Sequence, residues 1–175
     1  MFRLEGPGAV FHFRGYPHVH AFLNVAMDGD APLSVGEPVG NNPTWLDHAG
    51  VKALFETALR AETGADLAYY DESSVAGRLR PGLIRSGDIY SLESWQETAE
   101  VVEIRGSALS APLLAALRER AIMPDSDKTY TVATTTYVAR DLKEKLGQID
   151  TRRPGPMLRD LTIAYLRSHG FSKGS

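Results

Sequence analysis

The spacing of apolar residues predicts most of the regular structure in the first part of the chain. Residues 9–13 and 18–27 alternate apolar and polar positions as strands do, and a Gly/Pro break between them indicates a hairpin. Apolar positions at helical spacing predict a helix over residues 45–63, with Thr44 as its N-cap and Gly64 as its left-handed stop. The predicted inward face of this helix consists of Val51, Leu54, Phe55, Ala58 and Leu59.

The rest of the chain alternates strand and helix patterns. Strands are predicted at residues 66–70, 98–104 and 129–139, with a loop over 71–82 and a turn at 86–87. A helix capped by Ser110, with Pro112 in its first turn, ends near Arg120. The last helix is predicted over residues 155–169, with Gly170 as its stop and with Leu158, Leu161, Tyr165 and Leu166 facing inward. The fold class that follows is α/β or α+β, a mixed β-sheet flanked by helices.

Gly, Pro and Asp residues concentrate in one stretch and suggest a boundary. Residues 28–44 are rich in these turn formers and carry at most a short strand. We therefore divide the 175-residue chain into an N-terminal hairpin and linker (1–44) and a main domain (45–175).

Composition narrows the class of protein. The formal net charge is −3, so no basic excess favours nucleic-acid binding. Cysteine is absent, which excludes disulfides and thiolate metal sites. No apolar run approaches the 18 residues of a membrane span, and the N-terminus does not have the pattern of a signal peptide. We expect a soluble protein that is cytoplasmic if the chain is complete; for a fragment of a secreted protein, the location is unknown.

Three collinear segments resemble the C-terminal domain of the 5′-nucleotidase family. They read ALFETALRAETGADLAYY, PGLIRSGDIYSLESWQETAEVVEIRGSALSAPLLAAL and KTYTVATTTYVARD. The family has a Thr-Gly-Ala-Asp turn after a helix, then a Gly-x-Ile-x-x-Gly-Asp-Ile-Tyr segment, then a Tyr-x-Val-Ala-Thr strand. The resemblance runs from about Val51 to Asp141, so it implies that residues 45–175 are a 5′-nucleotidase C-terminal-like domain.

The resemblance implies a site for a nucleoside-like or nucleotide-like small molecule. In the family this domain stacks the base between aromatic rings, while a separate metallophosphatase domain holds two metal ions and performs the phosphate chemistry. Trp95 falls where the family has the Phe of Pro-Phe-x-Asn, and Tyr137 could form a stacking pair with it. The alternative is that both rings serve packing in the core or at its rim. The 44 residues before the first matched helix are too few for the metallophosphatase domain.

The expected site departs from the family pattern at several positions. Glu97 stands where the family has Asn, and a carboxylate cannot donate the hydrogen bonds of an amide. Residues 72–76 (ESSVA) replace Gly-Gly-Gly-Ile-Arg, so Ala76 takes the Arg position, with Arg78 two residues further on. Residues 140–145 (RDLKEK) replace Gly-Gly-Asp-Gly-Tyr. The predicted ligand contacts are Trp95, Glu97, Tyr137, Arg78 and Arg140.

A histidine pair suggests a second kind of site. His18 and His20 lie two apart on a predicted strand, so both imidazoles leave the same face about 7 Å apart. That spacing suits a divalent metal such as zinc or manganese, and the alternative is a pair of solvated residues. Further ligands would come from His12, Asp28, Asp30 or His48.

Two functional hypotheses follow. The first is a standalone binding or assembly module without phosphatase chemistry of its own, which recognises a nucleotide-like molecule or provides a surface to a protein partner or a second copy. The second is a metal-dependent hydrolase or a metal-binding protein built on His18 and His20, and a further alternative is a fragment of a complete 5′-nucleotidase. We favour the non-catalytic module for the isolated chain.

Overall fold

The computed structural model describes residues 36–171. The chain divides into two units, Met1–Leu33 and Ser34–Ser175, and all described residues belong to the second. Within residues 36–171 the strands are β1 (Pro38–Asn42), β2 (Leu67–Ala68), β3 (Gly82–Arg85), β4 (Thr98–Arg105), β5 (Thr129–Thr135) and β6 (Thr151–Met157). The helices in the same range are α1 (His48–Thr63), α2 (Ser86–Leu92), α3 (Ala111–Glu119), α4 (Thr136–Asp141) and α5 (Leu158–His169).

The main sheet is mixed, as the alternation of elements predicted. Its strand order is β2-β5-β4-β6. Strand β2 runs parallel to β5, whereas β4 runs antiparallel to both β5 and β6. Helices flank this sheet, so the predicted fold class is confirmed.

A smaller antiparallel sheet pairs β1 with β3. Strand β1 is the short strand within the stretch 28–44 that we interpreted as a linker. Strand β3 was not predicted, because the sequence PGLIR lies between turn formers and is too short to show alternation. Helix α1 and strand β2 separate the two strands along the chain, so only tertiary contact brings them together.

Helices α1 and α5 contribute apolar faces to the core. All five residues of the predicted α1 face are buried, and so are the four predicted for α5. On α3, Leu113 and Leu117 pack in a cluster with Val102, Val132 and Tyr130 of the main sheet. Burial of such apolar side chains is the main favourable contribution to folding.

The helix ends show which local signals were correct. Gly64 has the left-handed conformation (φ 67°), and its N–H bonds to the carbonyl of Arg60, as a stop residue does. Ser110 is the N-cap of α3, and Gly170 ends α5. The predicted start of α1 is wrong: Asp47, not Thr44, is the N-cap, because its carboxylate accepts the N–H of Gly50 at 2.9 Å.

Other predicted elements also have different bounds in the structure, and strand pairing explains two of the differences. The 129–139 strand ends at Thr135, because its pairing with β4 ends at Ala99 and the chain turns into α4. Residues 151–157 pair with β4 as an edge strand, where prolines are tolerated, so the last helix begins at Leu158 and not at 155. The predicted turn at 86–87 is instead the first turn of α2.

Candidate functional site

The tryptophan of the sequence motif lies on a tight turn between α2 and β4. We call residues Glu93–Glu97 the Trp95 turn. Gln96 has a positive φ of 58°, a conformation that side chains rarely adopt. Trp95 is 68% exposed. The turn therefore presents a large aromatic side chain outward from a constrained backbone.

A buried carboxylate organises the Trp95 turn. Glu93 is fully buried, and its Oε1 accepts the backbone N–H groups of Trp95 and Glu97, both at 3.1 Å. No group in the described part of the chain donates to its Oε2. Burial raises the pKa of Glu93, against the two backbone hydrogen bonds and the positive charge of Arg159, which favour the ionised form. The turn is thus held from inside, by a side chain that a ligand at the surface does not reach.

Glu97 connects the Trp95 turn to α4 and α5 through two hydrogen bonds. Its Oε2 accepts the backbone N–H of Tyr137 at 2.9 Å, at the start of α4. Its carbonyl oxygen accepts the N–H of Leu158 at 2.9 Å, at the start of α5. These bonds fix the position of Glu97 relative to Tyr137, although the two residues lie 40 positions apart.

A recess of about 250 Å³ opens beside the Trp95 turn. Its lining residues are Ser73, Ser74, Trp95, Glu97 and Tyr137. Tyr137 is half-buried and packs against the core cluster of the main sheet. The recess therefore combines one exposed ring, one supported ring, a carboxylate and two hydroxyl groups.

Tyr70 supports the side of the recess that Ser73 and Ser74 form. The hydroxyl of this buried tyrosine donates to the carbonyl of Ser74 at 3.4 Å, and its ring packs edge-on against Phe55. Burial raises the pKa of Tyr70, and so do the negative charges of Glu93, Glu97 and Asp71. Positive charges act on the same carboxylates, since Arg159 interacts with Glu93 and Arg140 interacts with Glu97.

The structure brings together three of the five predicted ligand contacts. Trp95, Glu97 and Tyr137 line one recess. Arg140 is exposed and forms an ion pair with Asp141 at 2.7 Å, and Arg78 is exposed; neither lines the recess. Their roles as ligand contacts stay predictions.

Two features of the site were missed from the sequence. Ser73 and Ser74 belong to the ESSVA stretch, and its correspondence to a ligand-binding stretch of the family was the signal that could have identified them. Glu93 gave no such signal, because an acidic residue in a polar turn ordinarily lies in solvent.

The predicted metal site lies outside the described residues. His18 and His20 precede residue 36, so the metal hypothesis stays a prediction. Among residues 36–171, no three His, Asp or Glu side chains are grouped as metal ligands. In that same range, no helix combines the length and the apolar character needed to cross a membrane.

A second cavity, of about 700 Å³, is more open to solvent than the recess beside the Trp95 turn and is lined by different types of residue. It is lined by residues 143–144 and 147–152, which include Lys143 and Arg152 but no aromatic ring. A flat ligand that needs a stacking surface would find one at the Trp95 recess and not here.

Comparison with known proteins identifies the fold. No family model matches the sequence, and no curated protein does. Among solved structures, a 5′-nucleotidase precursor from Thermus thermophilus matches with a TM-score of 0.62 and 15% identity, over 79% of this chain and 38% of that one. The NAD nucleotidase of Haemophilus influenzae matches with a TM-score of 0.58 and 15% identity, over 81% and 37%. A sulfate thiohydrolase from Thermus thermophilus matches at 0.54 and 14%, over 78% and 33%.

These matches establish a shared fold and a partial correspondence. The chain spans less than two-fifths of each of these three proteins, as expected for one domain of such an enzyme. The resemblance to 5′-nucleotidase structures is therefore confirmed at the level of fold. Since the three proteins are named for different activities, the fold alone does not identify the ligand, which must be argued from the site.

Proposed function

We propose that this domain is a binding module that takes the flat ring of a nucleoside-like molecule into the Trp95 recess. The observation that carries the proposal is the position of Trp95, which is 68% exposed on a turn whose backbone is bonded to a buried carboxylate. An exposed indole on a mobile loop is common surface variation, but one held on a constrained turn beside a second ring is arranged for stacking.

The second ring and the polar groups complete this arrangement. Tyr137 is supported by the core, so its ring loses little freedom when a ligand binds. The Ser73 hydroxyl donates to Asp71 and can accept from a ligand, whereas the Ser74 hydroxyl can donate or accept, which suits the polar edge of a heterocycle. Stacking of a base on an aromatic side chain contributes about 1–3 kcal/mol.

In this proposal, phosphate chemistry belongs to a partner and not to residues 36–171. The chain spans less than two-fifths of the comparison proteins, which supports a catalytic half that lies outside residues 36–171. The domain then contributes ligand recognition to an assembly, which is the non-catalytic role that the sequence favoured.

The two tryptophans of the chain allow a direct test. Trp45 is also exposed, at 53%, but does not line the recess. In Trp45→Phe the tryptophan fluorescence comes from Trp95 alone, and in Trp95→Phe it comes from Trp45 alone. We expect a nucleoside to quench the first variant and to leave the second unchanged, because stacking places the base against the indole.

A binding measurement with a matched control accompanies this test. Trp95→Ala should weaken nucleoside binding by calorimetry about 5- to 150-fold, the equivalent of one lost stacking contact. Trp45→Ala, the removal of an equally large exposed ring, should leave affinity unchanged. Each variant should keep its unfolding free energy within about 0.5 kcal/mol, as expected for an exposed side chain. Equal quenching in both single-tryptophan variants, or equal loss in both alanine variants, would contradict the proposal.

The histidine pair supports a second proposal, that the chain binds zinc or manganese. The spacing of His18 and His20 is its only basis. Addition of either ion should raise the melting temperature of the wild-type chain, because a ligand that binds the folded state stabilises it. His18→Ala combined with His20→Ala should abolish the shift, and a shift that persists in this double variant would eliminate the site.

A further inference from the structure

We propose that the Trp95 recess selects its ligand by hydrogen-bond donors: it takes a flat ring that presents two adjacent N–H groups to Glu97, as a guanine base does. This inference rests on the proposed stacking function and specifies its ligand. Three observations carry it: the fixed position of Glu97, the charges around the recess and the chemistry of the lining residues.

Glu97 is held in one place by bonds at its backbone and its side chain. Its N–H donates to Glu93, its carbonyl accepts from Leu158, and its Oε2 accepts the N–H of Tyr137. A carboxylate offers about four acceptor positions. The Tyr137 bond uses one of them, so Glu97 keeps capacity for a ligand while its position is already fixed.

The described residues that line the recess disfavour an anionic group. Glu97 is the acidic member of the lining set, and none of the five described lining residues is basic. Glu93 lies behind the turn, bonded to the same backbone segment, and Asp71 stands next to the 3₁₀ turn that bears Ser73 and Ser74. A phosphate inside this recess would face like charge, whereas N–H donors would be attracted.

Arg140 and Arg159, two basic residues near the site, already contact other side chains of the protein. The Nε and one terminal nitrogen of the Arg140 guanidinium bond to Asp141, at 2.7 to 3.1 Å. Arg159 is 5% exposed and lies over the ring of Tyr90, 5.0 Å from its centre. Neither cation is among the described residues that line the recess, although the charge of Arg140 acts on Glu97 from outside it.

The purine bases differ in the hydrogen-bond donors and acceptors on the edge that would face Glu97. Guanine has a ring N–H and an amino group side by side on one edge, so it can donate two parallel hydrogen bonds. Hypoxanthine keeps the ring N–H and lacks the amino group. Adenine pairs its amino group with a ring nitrogen lone pair, which would face the lone pairs of Glu97. A site built around a hydrogen-bonding group discriminates strongly against an analogue that lacks the partner atom.

The test titrates the Trp45→Phe protein with guanosine, inosine and adenosine and follows the fluorescence of Trp95. We expect guanosine to bind at least about tenfold more tightly than adenosine, with inosine between them. Guanosine monophosphate should bind no more tightly than guanosine, because none of the described residues that line the recess is a cation.

Two variants locate the selectivity. Glu97→Gln, made in the same background, replaces an acceptor pair by one acceptor and one donor and can still accept the N–H of Tyr137. The guanosine-to-adenosine ratio should then fall to about threefold or less. Glu72→Gln removes an exposed carboxylate beside Ser73 and serves as the matched control, since it should leave the ratio unchanged.

The outcomes separate this inference from the proposed function. Quenching with equal affinities for the three nucleosides, or a ratio that Glu97→Gln does not change, overturns the donor selectivity and leaves stacking intact. No quenching by any of the three overturns stacking and the selectivity with it. If Glu97→Gln does not fold, the guanosine-to-adenosine ratio of the Trp45→Phe protein decides alone, and a preference for adenosine overturns the inference.

Discussion

Asp66 and Glu93 each accept hydrogen bonds that hold a connection between elements, but their pKa values shift in opposite directions. Each carboxylate accepts at least one backbone N–H and so orders a connection between elements. Asp66, after α1, accepts the N–H of Thr131 at 2.9 Å and its hydroxyl at 3.0 Å, and forms an ion pair with Lys128 at 3.1 Å. Glu93 accepts two N–H groups with one oxygen, and its second oxygen is buried without a donor among residues 36–171.

The difference between the two carboxylates appears in their pKa values. Partial burial acts against the charge of Asp66, but the hydrogen bonds of Thr131 and Lys128 outweigh it and lower its pKa. Burial dominates at Glu93 and raises its pKa. The charged form of Asp66 is therefore favoured in the folded state, whereas burial disfavours the charged form of Glu93.

The largest expected effect comes from removing the stabilising carboxylate. Asp66→Ala should lower the free energy of unfolding at neutral pH by about 2 kcal/mol, because three donors lose a charged acceptor. The loss should shrink as the pH falls through the lowered pKa of Asp66, since protonation weakens the same bonds in the wild type. Denaturant unfolding at several pH values measures both effects.

The control for this change is an exposed aspartate of the same region. Asp127→Ala should alter the unfolding free energy by less than about 0.5 kcal/mol, as is usual for a surface position. Nucleoside affinity should be unchanged in both variants. An Asp66→Ala protein as stable as Asp127→Ala would remove the distinction between the two carboxylates.

A smaller effect, of opposite pH dependence, is expected for Glu93→Gln. Because the folded pKa of Glu93 is raised above its ordinary value of 4.5, its contribution to stability is present below that value and is lost as the pH rises through the raised pKa. The loss is at most about 1.4 kcal/mol per pH unit for one proton. Glu93→Gln removes this titration, so the stability of the variant should decline less over the same range.

Glu56 also contributes to the pH dependence of stability in that measurement. Burial also raises its pKa, against the attraction of Lys52, so the wild type and the variant share its contribution. The difference between the two curves isolates Glu93. Parallel curves would show that Glu93 does not titrate as its environment implies.

Prediction from the sequence succeeded where a signal was local. The apolar face of α1 and its Gly64 stop were confirmed because helical spacing and a left-handed stop are properties of a few consecutive residues. Strand β6 was missed because TRRPGPM has no strand pattern of its own and becomes a strand only by pairing with β4. Glu93 was missed for a related reason, since its burial depends on what packs against the turn.

By itself, the sequence determined the apolar faces, the stops of α1 and α5 and a mixed-sheet fold. It predicted five ligand contacts, which are Trp95, Glu97, Tyr137, Arg78 and Arg140. Tertiary structure decided that Trp95, Glu97 and Tyr137 share a recess. Strand register is the physical reason: Ala99 of β4 pairs with Thr135 of β5, so the residues just beyond the paired ends, Glu97 and Tyr137, meet. Periodicity specifies which face of an element is buried, but only the pairing of strands distant in sequence specifies which ends lie side by side.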